Sequence, residues 1–358
     1  MATIRDVAKL ARVSPATVSR VLSGKGAVSE ATRRRVLDAM AALNYEPNAL
    51  GRNLRKQETK TVIVLIPDIK NPFFSEIIRG IEDVAIREGY TILLGNTDND
   101  VKREAEYLRI LNAKRADGLI LTTARVEKDH ILALARQKPV VLACEYLLDA
   151  DVPSVSIDNV SSARKATAHL LSLGHTRIAH LTGPLHVIIS RDRLQGYQQA
   201  LHQHGLSVDP ALVQEGDWTL DSGYLLMRKL LALAHPPTAV FAANDEMAIG
   251  AIRAVRERGL RVPDDIAIVG FDDIAYAAYV DPPLTTVAQP CYEIGRTAME
   301  MVLHLIRGEP IPQPQRVLED RLVIRRSCGT PRRRNDKGSG ARMPVEGPIH
   351  QSKGRGKA

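Results

Sequence analysis

A run of β-branched and aliphatic residues with no polar member facing outward, Val62-Ile63-Val64-Leu65-Ile66 after Thr61, opens a long stretch in which such runs alternate with segments of helical period. A strand that is apolar on both faces needs cover on both faces, which a parallel sheet flanked by helices provides. Phe73 to Glu88 follows as an amphipathic helix, with Ile77, Ile78, Ile81, Val84 and Ala85 on one face. Tyr90–Gly95, Gly118–Thr122 and Val140–Ala143 read as further strands with helices between them. The alternation continues through a helix at Ser161–Gly174, a strand at Arg177–Thr182, a helix at Arg191–His204, a strand at Ala239–Ala242, a helix at Asp245–Gly259 and a strand at Ile266–Phe271. This order predicts doubly wound parallel sheets in two similar blocks, about 61–160 and 161–289.

The first 60 residues follow a different rule. Thr3 can cap a helix, with Asp6 three residues on to complete a capping-box-like pair. Ile4, Val7, Ala8 and Ala11 share one face of that helix, and Arg12-Val13 makes a turn. Ser14 caps a second helix with Pro15 at its first position, where a missing N–H costs nothing. There Val18, Val21 and Leu22 point inward, while Pro15, Ala16, Thr17, Ser19 and Arg20 face outward. Ser29 caps a third helix through about Leu43. Two short helices at a tight turn, the second presenting small polar residues and an arginine, fit a DNA major groove. A plain three-helix packing module with a solvated basic face is the alternative. The next segment argues against it: Pro47–Lys56 has three cations and two leucines but no core of its own, and is too short to be a stable helix alone in water. It calls for a partner on which to fold, and DNA is one.

Charge is distributed accordingly. The chain of 358 residues has a formal net charge of +8. Residues 1–60 hold 12 Lys/Arg against 5 Asp/Glu, residues 331–358 hold 8 against 2, and the stretch between is left at −5. A basic head on an acidic body directs polyanions to one end of the molecule. The length exceeds one ordinary core. No apolar run reaches the roughly 18 residues of a membrane span, and the chain opens on a capped helix rather than a signal-peptide apolar region. Cys144, Cys291 and Cys328 are odd in number, widely spaced and without metal-ligand spacing. They argue for a reducing, cytoplasmic compartment. No metal and no cofactor are expected.

Nor is an enzyme expected. The chain has no glycine-rich phosphate loop, no nucleophile elbow and no His/Cys cluster with ligand spacing, and His175, His180, His202 and His204 read as surface or capping histidines. A binding cleft fits better. Ligands of parallel sheets bind outside the carboxyl ends of the strands, where Asn71-Pro72-Phe73-Phe74, Cys144-Glu145-Tyr146, Arg191-Asp192-Arg193, Asn244-Asp245 and Gly270-Phe271-Asp272-Asp273 fall. Carboxylates accept from hydroxyls, a guanidinium forks onto two oxygens, and Trp218 or Phe73 can stack on a ring, which suits a small polyhydroxylated ligand. Each has a structural alternative: Phe74 as core, Asp273 as a cap, Arg193 as a partner of Asp272.

The ordered motifs Thr3–Ala8, Val13–Leu22 and Asn44–Leu50 make the chain resemble the LacI/GalR family of transcriptional regulators over about residues 3 to 329. The resemblance implies a sequence-specific regulator, expected to be a repressor, whose affinity for double-stranded operator DNA is switched by a small molecule held between two lobes of a periplasmic-binding-protein-like body. It implies that the second helix reads the major groove, with Pro15, Ala16 and Arg20 facing bases. Arg20 can pair bidentately with guanine and Ala16 can touch a thymine methyl, while Thr17, Ser19, Ser14 and Asn48 contact phosphates. Thr3 and Arg55 join this set. Asn48–Lys56 would be a hinge helix whose Leu54 wedges into the minor groove. Phe73, Phe74, Glu145, Arg193, Trp218, Asn244 and Asp272 are the expected effector residues. Expected boundaries are 1–46 for the head, 47–60 for the hinge, 61–329 for the body (one lobe about 61–160 and 290–320, the other about 161–289 and 321–329) and 330–358 for a disordered basic tail. Within the family, Val64–Glu82 resembles the cytidine-responsive nucleoside repressors, and the effector is read as a nucleoside or a sugar. The tail has no leucine heptads, so a homodimer is expected, with no membrane association. An exported-type solute receptor with a non-functional N-terminal extension is the alternative; it would require an export signal.

Overall fold

A computed structural model describes residues 2–23, 27–45, 58–112 and 115–329. The expected hinge helix and basic tail, with Asn48, Leu54 and Arg55, lie outside the described residues.

Three helices form the head: α1 (Ile4–Leu10), α2 (Pro15–Ser23) and α3 (Glu30–Ala42). Their core is small and aliphatic. Val7, Ala8, Ala11, Val18, Val36 and Ala39 are buried together, with Ile4, Val21, Leu22 and Tyr45 packed against them. The capping chemistry read from the sequence is present. Asp6 takes the Thr3 N–H at 2.8 Å while Thr3 Oγ1 accepts the Asp6 N–H, and Ser14 Oγ accepts the Thr17 N–H at 3.1 Å. Arg12, at φ 55, supplies the left-handed turn between the first two helices.

Beyond the head the described chain divides into two compact units, one containing residues up to Asp158 with Pro290–Glu319, the other Asn159–Gln289 with the described chain from Asp320. In the first, β1 (Thr61–Ile66), β2 (Thr91–Asn96), β3 (Gly118–Leu121), β4 (Val140–Ala143), β5 (Ser154–Ile157) and β11 (Gln315–Leu318) make one sheet in the order β11-β5-β4-β3-β1-β2. Every pairing in it is parallel. Helices α4 (Phe73–Arg87), α5 (Val101–Asn112) and α6 (Lys128–Ala135) connect the strands, and α11 (Cys291–Arg307) returns to this unit before β11. Helices α4 and α11 approach backbone to backbone: a Cβ on Gly80 would run into the Tyr292 carbonyl oxygen, and one on Gly295 into that of Ile77.

In the second unit, β6 (Ile178–Thr182), β7 (Val213–Glu215), β8 (Ala239–Ala242), β9 (Ala267–Asp272), β10 (Thr285–Ala288) and β12 (Arg321–Val323) run in the order β12-β10-β9-β8-β6-β7. All pairs are parallel except β10 with β12. Helices α7 (Asn159–Ser172), α8 (Ile188–Gln203), α9 (Leu220–Leu231) and α10 (Asp245–Glu257) connect them. The strand–helix alternation thus produces the expected two parallel-dominated sheets. Helix starts shift: α7 begins at Asn159, not Ser161, and α8 at Ile188, not Arg191, the latter because Val187 closes a turn onto the Pro184 carbonyl and Arg191 N–H already reaches Val187.

Candidate functional site

On the head, helix α2 turns Val18 fully inward while Pro15, Ala16 and Arg20 are exposed and Thr17 and Ser19 half-buried. That places the predicted base-facing residues on one outer face of a rigidly capped helix. Thr3 and Ser14 are the capping residues themselves. Thr3 Oγ1 also donates to Asp6 at 2.7 Å, and Ser14 Oγ lies 3.0 Å from Thr17 Oγ1. These hydroxyls therefore hold the helix starts in place.

In the second unit, helix α8 and the carboxyl ends of β7, β8, β9 and β10 bring Arg193, Trp218, Asn244, Asp272 and Gln289 together. Arg193 is 3% exposed and Asp272 is 7% exposed, so both charges are out of bulk water, a costly arrangement unless each is paired. Arg193 Nε donates to Asn159 Oδ1 at 2.9 Å and Nη1 to the Ala243 carbonyl at 2.5 Å. Its guanidinium carbon lies 3.7 Å from the centre of the Phe271 ring and 5.5 Å from that of Trp218. The nearest approach to Asp272 is 4.0 Å, from Nη1 to Oδ1. Asp272 Oδ1 accepts from Gln289 Nε2 at 2.8 Å. Burial pushes the Asp272 carboxyl up to about 7, against the opposing pull of Arg193 and the Gln289 hydrogen bond. The backbone is strained here too: Trp218, Asp272 and Asp273 all have left-handed φ, at 73°, 115° and 58°. Such conformations persist in non-glycine residues only where the surroundings over-determine them, and they concentrate at ligand sites.

Asn244 sits beside this group with its amide engaged on both ends. Its Oδ1 caps α10 through the Met247 N–H at 2.9 Å and its Nδ2 donates to the Trp218 carbonyl at 2.8 Å. It therefore fixes the Trp218 loop to the helix start. The Trp218 ring lies against Gly183, where a side chain would collide with it. Next to Asn244, Asp245 is fully buried and accepts from Thr286 Oγ1 at 2.6 Å and the Ile274 N–H at 2.9 Å. Burial, then the neighbouring Asp272, holds its carboxyl well above the usual range.

The first unit brings its own predicted residues to the carboxyl ends of β1 and β4. Phe73 and Phe74 open α4, packed edge-to-face with ring centres 5.0 Å apart, and both are buried. Glu145 follows Cys144, which has a left-handed φ of 70°. Both Glu145 oxygens receive the Arg125 guanidinium at 2.9 Å, and Oε2 also accepts the Ala124 N–H. Glu104 in turn anchors that loop by accepting the N–H groups of Arg125 and Val126. The structure thus gives Glu145 a cation to hold, a role different from free solvent-facing acceptance.

One histidine reading is corrected. His180 is neither a surface nor a capping residue: it lies within β6, fully buried, stacked on Phe241 with ring centres 4.7 Å apart and near Tyr197 at 5.1 Å. Its Nδ1–H donates to the Phe241 carbonyl at 2.9 Å. Burial lowers its pKa to about 4, so the ring is neutral at physiological pH. An isolated polar residue in an apolar strand carries no local sign of which aromatics will enclose it.

Asn159, Phe271, Gln289 and Arg125 were not assigned roles from the sequence. Gln289 had a usable signal, since it follows Ala288, the residue paired with Asp272 in the β9–β10 register. The others become visible only when distant segments meet.

The head and body also match known proteins. Residues 3–48 match the model of bacterial regulatory proteins of the lacI family, and residues 167–328 that of a periplasmic binding protein-like domain. The chain is 42% identical over 327 residues to the HTH-type transcriptional repressor CytR of Escherichia coli (strain K12), covering 91% of this chain and 96% of that protein. The lac repressor dimer bound to operator and the anti-inducer ONPF superimposes with a TM-score of 0.83 at 32% identity, over 91% of this chain and 99% of that one. A LacI family regulator from Enterococcus faecium with bound ribose gives a TM-score of 0.68 at 33% identity, over 75% and 98%.

Proposed function

The chain belongs to the LacI family and is a DNA-binding transcriptional regulator with a ligand-binding body, and from that premise we propose that it is a homodimeric repressor controlled by a ribose-bearing nucleoside. The observation that carries this reading is the buried Arg193–Asp272 pair. The two groups are 4.0 Å apart, close enough for attraction and open enough for a hydroxyl to bridge them, accepting from Arg193 and donating to Asp272. Gln289 holds the carboxylate, and the Phe271 and Trp218 rings lie 3.7 and 5.5 Å from the guanidinium carbon. Vicinal hydroxyls on a ring match this set. In the first unit, the edge-to-face pair of Phe73 and Phe74 is apolar aromatic surface of its own, and Arg125 holds Glu145. The body binds its ligand and does not convert it.

Pro15, Ala16 and Arg20 read base edges, Thr17 and Ser19 contact phosphates, and Asn48, Leu54 and Arg55 complete the operator contacts. The effector shifts operator affinity by binding one arrangement of the body better than another, with a coupling of about 1–3 kcal/mol typical of such switches.

A second reading, a free sugar, is favoured by the relative with bound ribose. A thermal-shift panel separates them: cytidine, adenosine, cytosine, ribose and glucose against the full chain. A ligand at about 100 times its Kd stabilises by roughly 2.7 kcal/mol. A shift with nucleosides but not with free bases or ribose supports the nucleoside reading. A shift with ribose or glucose alone replaces it with the sugar reading, and no shift with any of the five removes both.

A further inference from the structure

The first residues of the body are held in an unusual way. Asp117, immediately before β3, accepts three hydrogen bonds from the two residues that precede β1: Thr59 N–H at 2.7 Å and Thr59 Oγ1–H at 2.9 Å on Oδ1, and Lys60 N–H at 2.8 Å on Oδ2. The contact is reciprocal, because the Asp117 N–H donates to the Thr61 carbonyl at 2.8 Å. From the other side, at the start of β2, the Thr91 N–H donates to the Lys60 carbonyl at 2.8 Å. Lys60 Nζ donates to the Tyr90 hydroxyl at 3.2 Å and sits 4.3 Å above that ring. Between these two neighbours Lys60 adopts φ 53, the left-handed region that a lysine enters only under constraint.

A β-strand that starts inside a sheet needs none of this. Strand β1 is already paired on both sides, with β2 and β3. What the extra bonds fix is the position and direction of the chain just before the strand, which is where the DNA-binding segment joins the body. Charge-assisted hydrogen bonds to one carboxylate are stronger and more directional than neutral ones, so a single side chain sets this junction.

We propose that Asp117 is a positioning residue for operator binding, clamping Thr59 and Lys60 so that the preceding residues leave the body at a fixed place and angle. The proposal rests on the reading that those preceding residues, with Asn48, Leu54 and Arg55, touch the operator. The Asp117 clamp is the mechanical link between them and the sheet whose strand ends carry Phe73, Phe74 and Glu145. Removing it leaves the sheet paired and the head helices capped, but uncouples the two.

The test uses the full chain and a duplex selected from a random-sequence library by the wild-type protein. Asp117→Asn keeps the shape and converts one acceptor oxygen to a donor that faces an N–H. Its affinity for the selected duplex is expected to fall about tenfold, more than any drop in the unfolding midpoint accounts for. Thr59→Val, which removes the hydroxyl's bond to Asp117 and the longer one it accepts from the Thr61 N–H at 3.3 Å, is expected to fall by less, and Thr59→Ser to behave as wild type. Trypsin cleavage after Lys60, read by mass spectrometry, reports release of the clamp directly. Faster cleavage in Asp117→Asn with wild-type affinity for the duplex overturns the proposal. So does a loss of affinity that merely follows the unfolding midpoint across Asp117→Asn and Thr59→Val, which assigns Asp117 to stability alone. A wild-type protein that selects no duplex would instead count against the operator reading on which the proposal rests.

Discussion

Arg193 and Asp272 face each other across 4.0 Å, each more than nine-tenths buried, and neither forms a direct hydrogen bond to the other. Arg193 is held from behind by Asn159, Ala243 and the Phe271 ring, while Gln289 holds Asp272. The pair is therefore fixed by its surroundings. Arg193→Met removes the cation and leaves a buried carboxylate without its counter-charge, so we expect a loss of about 3–5 kcal/mol of stability together with the ligand-induced thermal shift. Adding Asp272→Asn should restore part of the stability and none of the ligand response. Urea melts of the single and double variants check this; a double variant no more stable than Arg193→Met would show that the two charges are not energetically coupled.

Two buried groups give opposing pH dependences. Asp272 has its pKa raised to about 7, chiefly by burial. The folded state then holds a proton that the unfolded carboxyl releases near 4, so this contribution is complete below about 4 and is lost as pH rises to about 7. His180 has its pKa lowered to about 4, again chiefly by burial. The unfolded imidazole takes up a proton near 6.5, so this contribution is complete above about 6.5 and is lost as pH falls to about 4. Between those limits the two slopes oppose in the wild type. His180→Leu should expose the Asp272 slope, with stability falling as pH rises from 4.5 to 7 (roughly the window of its shift). Asp272→Asn removes its share of that downward slope and leaves the raised Asp245 carboxyl opposing His180, so its stability should fall with pH less steeply than that of His180→Leu. Denaturant midpoints across that range decide, and a slope in Asp272→Asn as steeply downward as that in His180→Leu would refute the assignment.

Much of this architecture is legible in the sequence because its causes are local. The Ser14-Pro15 cap, the Thr3–Asp6 box and the apolar run of β1 each need only neighbouring residues to be understood. Strands β11 and β12 were not anticipated, since Gln315–Leu318 and Arg321–Val323 are mixed in polarity and mostly exposed or half-exposed at sheet edges. At the candidate site, Arg193 and Asp272 could be singled out by residue type and position. Their partners could not: Asn159 lies 34 residues from Arg193 and the Ala243 carbonyl 50 residues away. Asn244 and Glu145 show the other limit. Their chemistry suits a ligand, and their geometry also gives them fixed protein partners that no spacing rule reveals.

Helix packing in the first unit depends on two glycines. Gly80 and Gly295 let α4 and α11 touch through their backbones, with the Tyr292 and Ile77 carbonyls in the space a Cβ would need. Backbone atoms cannot step aside as a side-chain end can, so Gly80→Ala should cost about 3 kcal/mol or somewhat more, at the upper end for overpacked sites. Gly89 provides the comparison. It has φ 72 and open space around its missing Cβ, so Gly89→Ala should cost only about 1 kcal/mol, from backbone strain. Chemical denaturation of the two variants tests the ranking, and a larger loss for Gly89→Ala would mean that the helices can separate cheaply.

The head permits a clean separation of fold from recognition. Ser14 caps α2, and its loss should cost the head about 1 kcal/mol. Arg20, exposed on the same helix, holds no position in the buried head core. Ser14→Ala should therefore weaken binding to every duplex in proportion to the lost helix stability. Arg20→Ala should cost roughly 1–3 kcal/mol on the selected duplex, with relaxed preference at one base position. Fluorescence anisotropy on the selected duplex, on its single-base variants and on random DNA distinguishes the cases. A uniform loss for Arg20→Ala across all of them, with a reduced dependence on salt, would make Arg20 a phosphate contact and move base reading to Pro15 and Ala16.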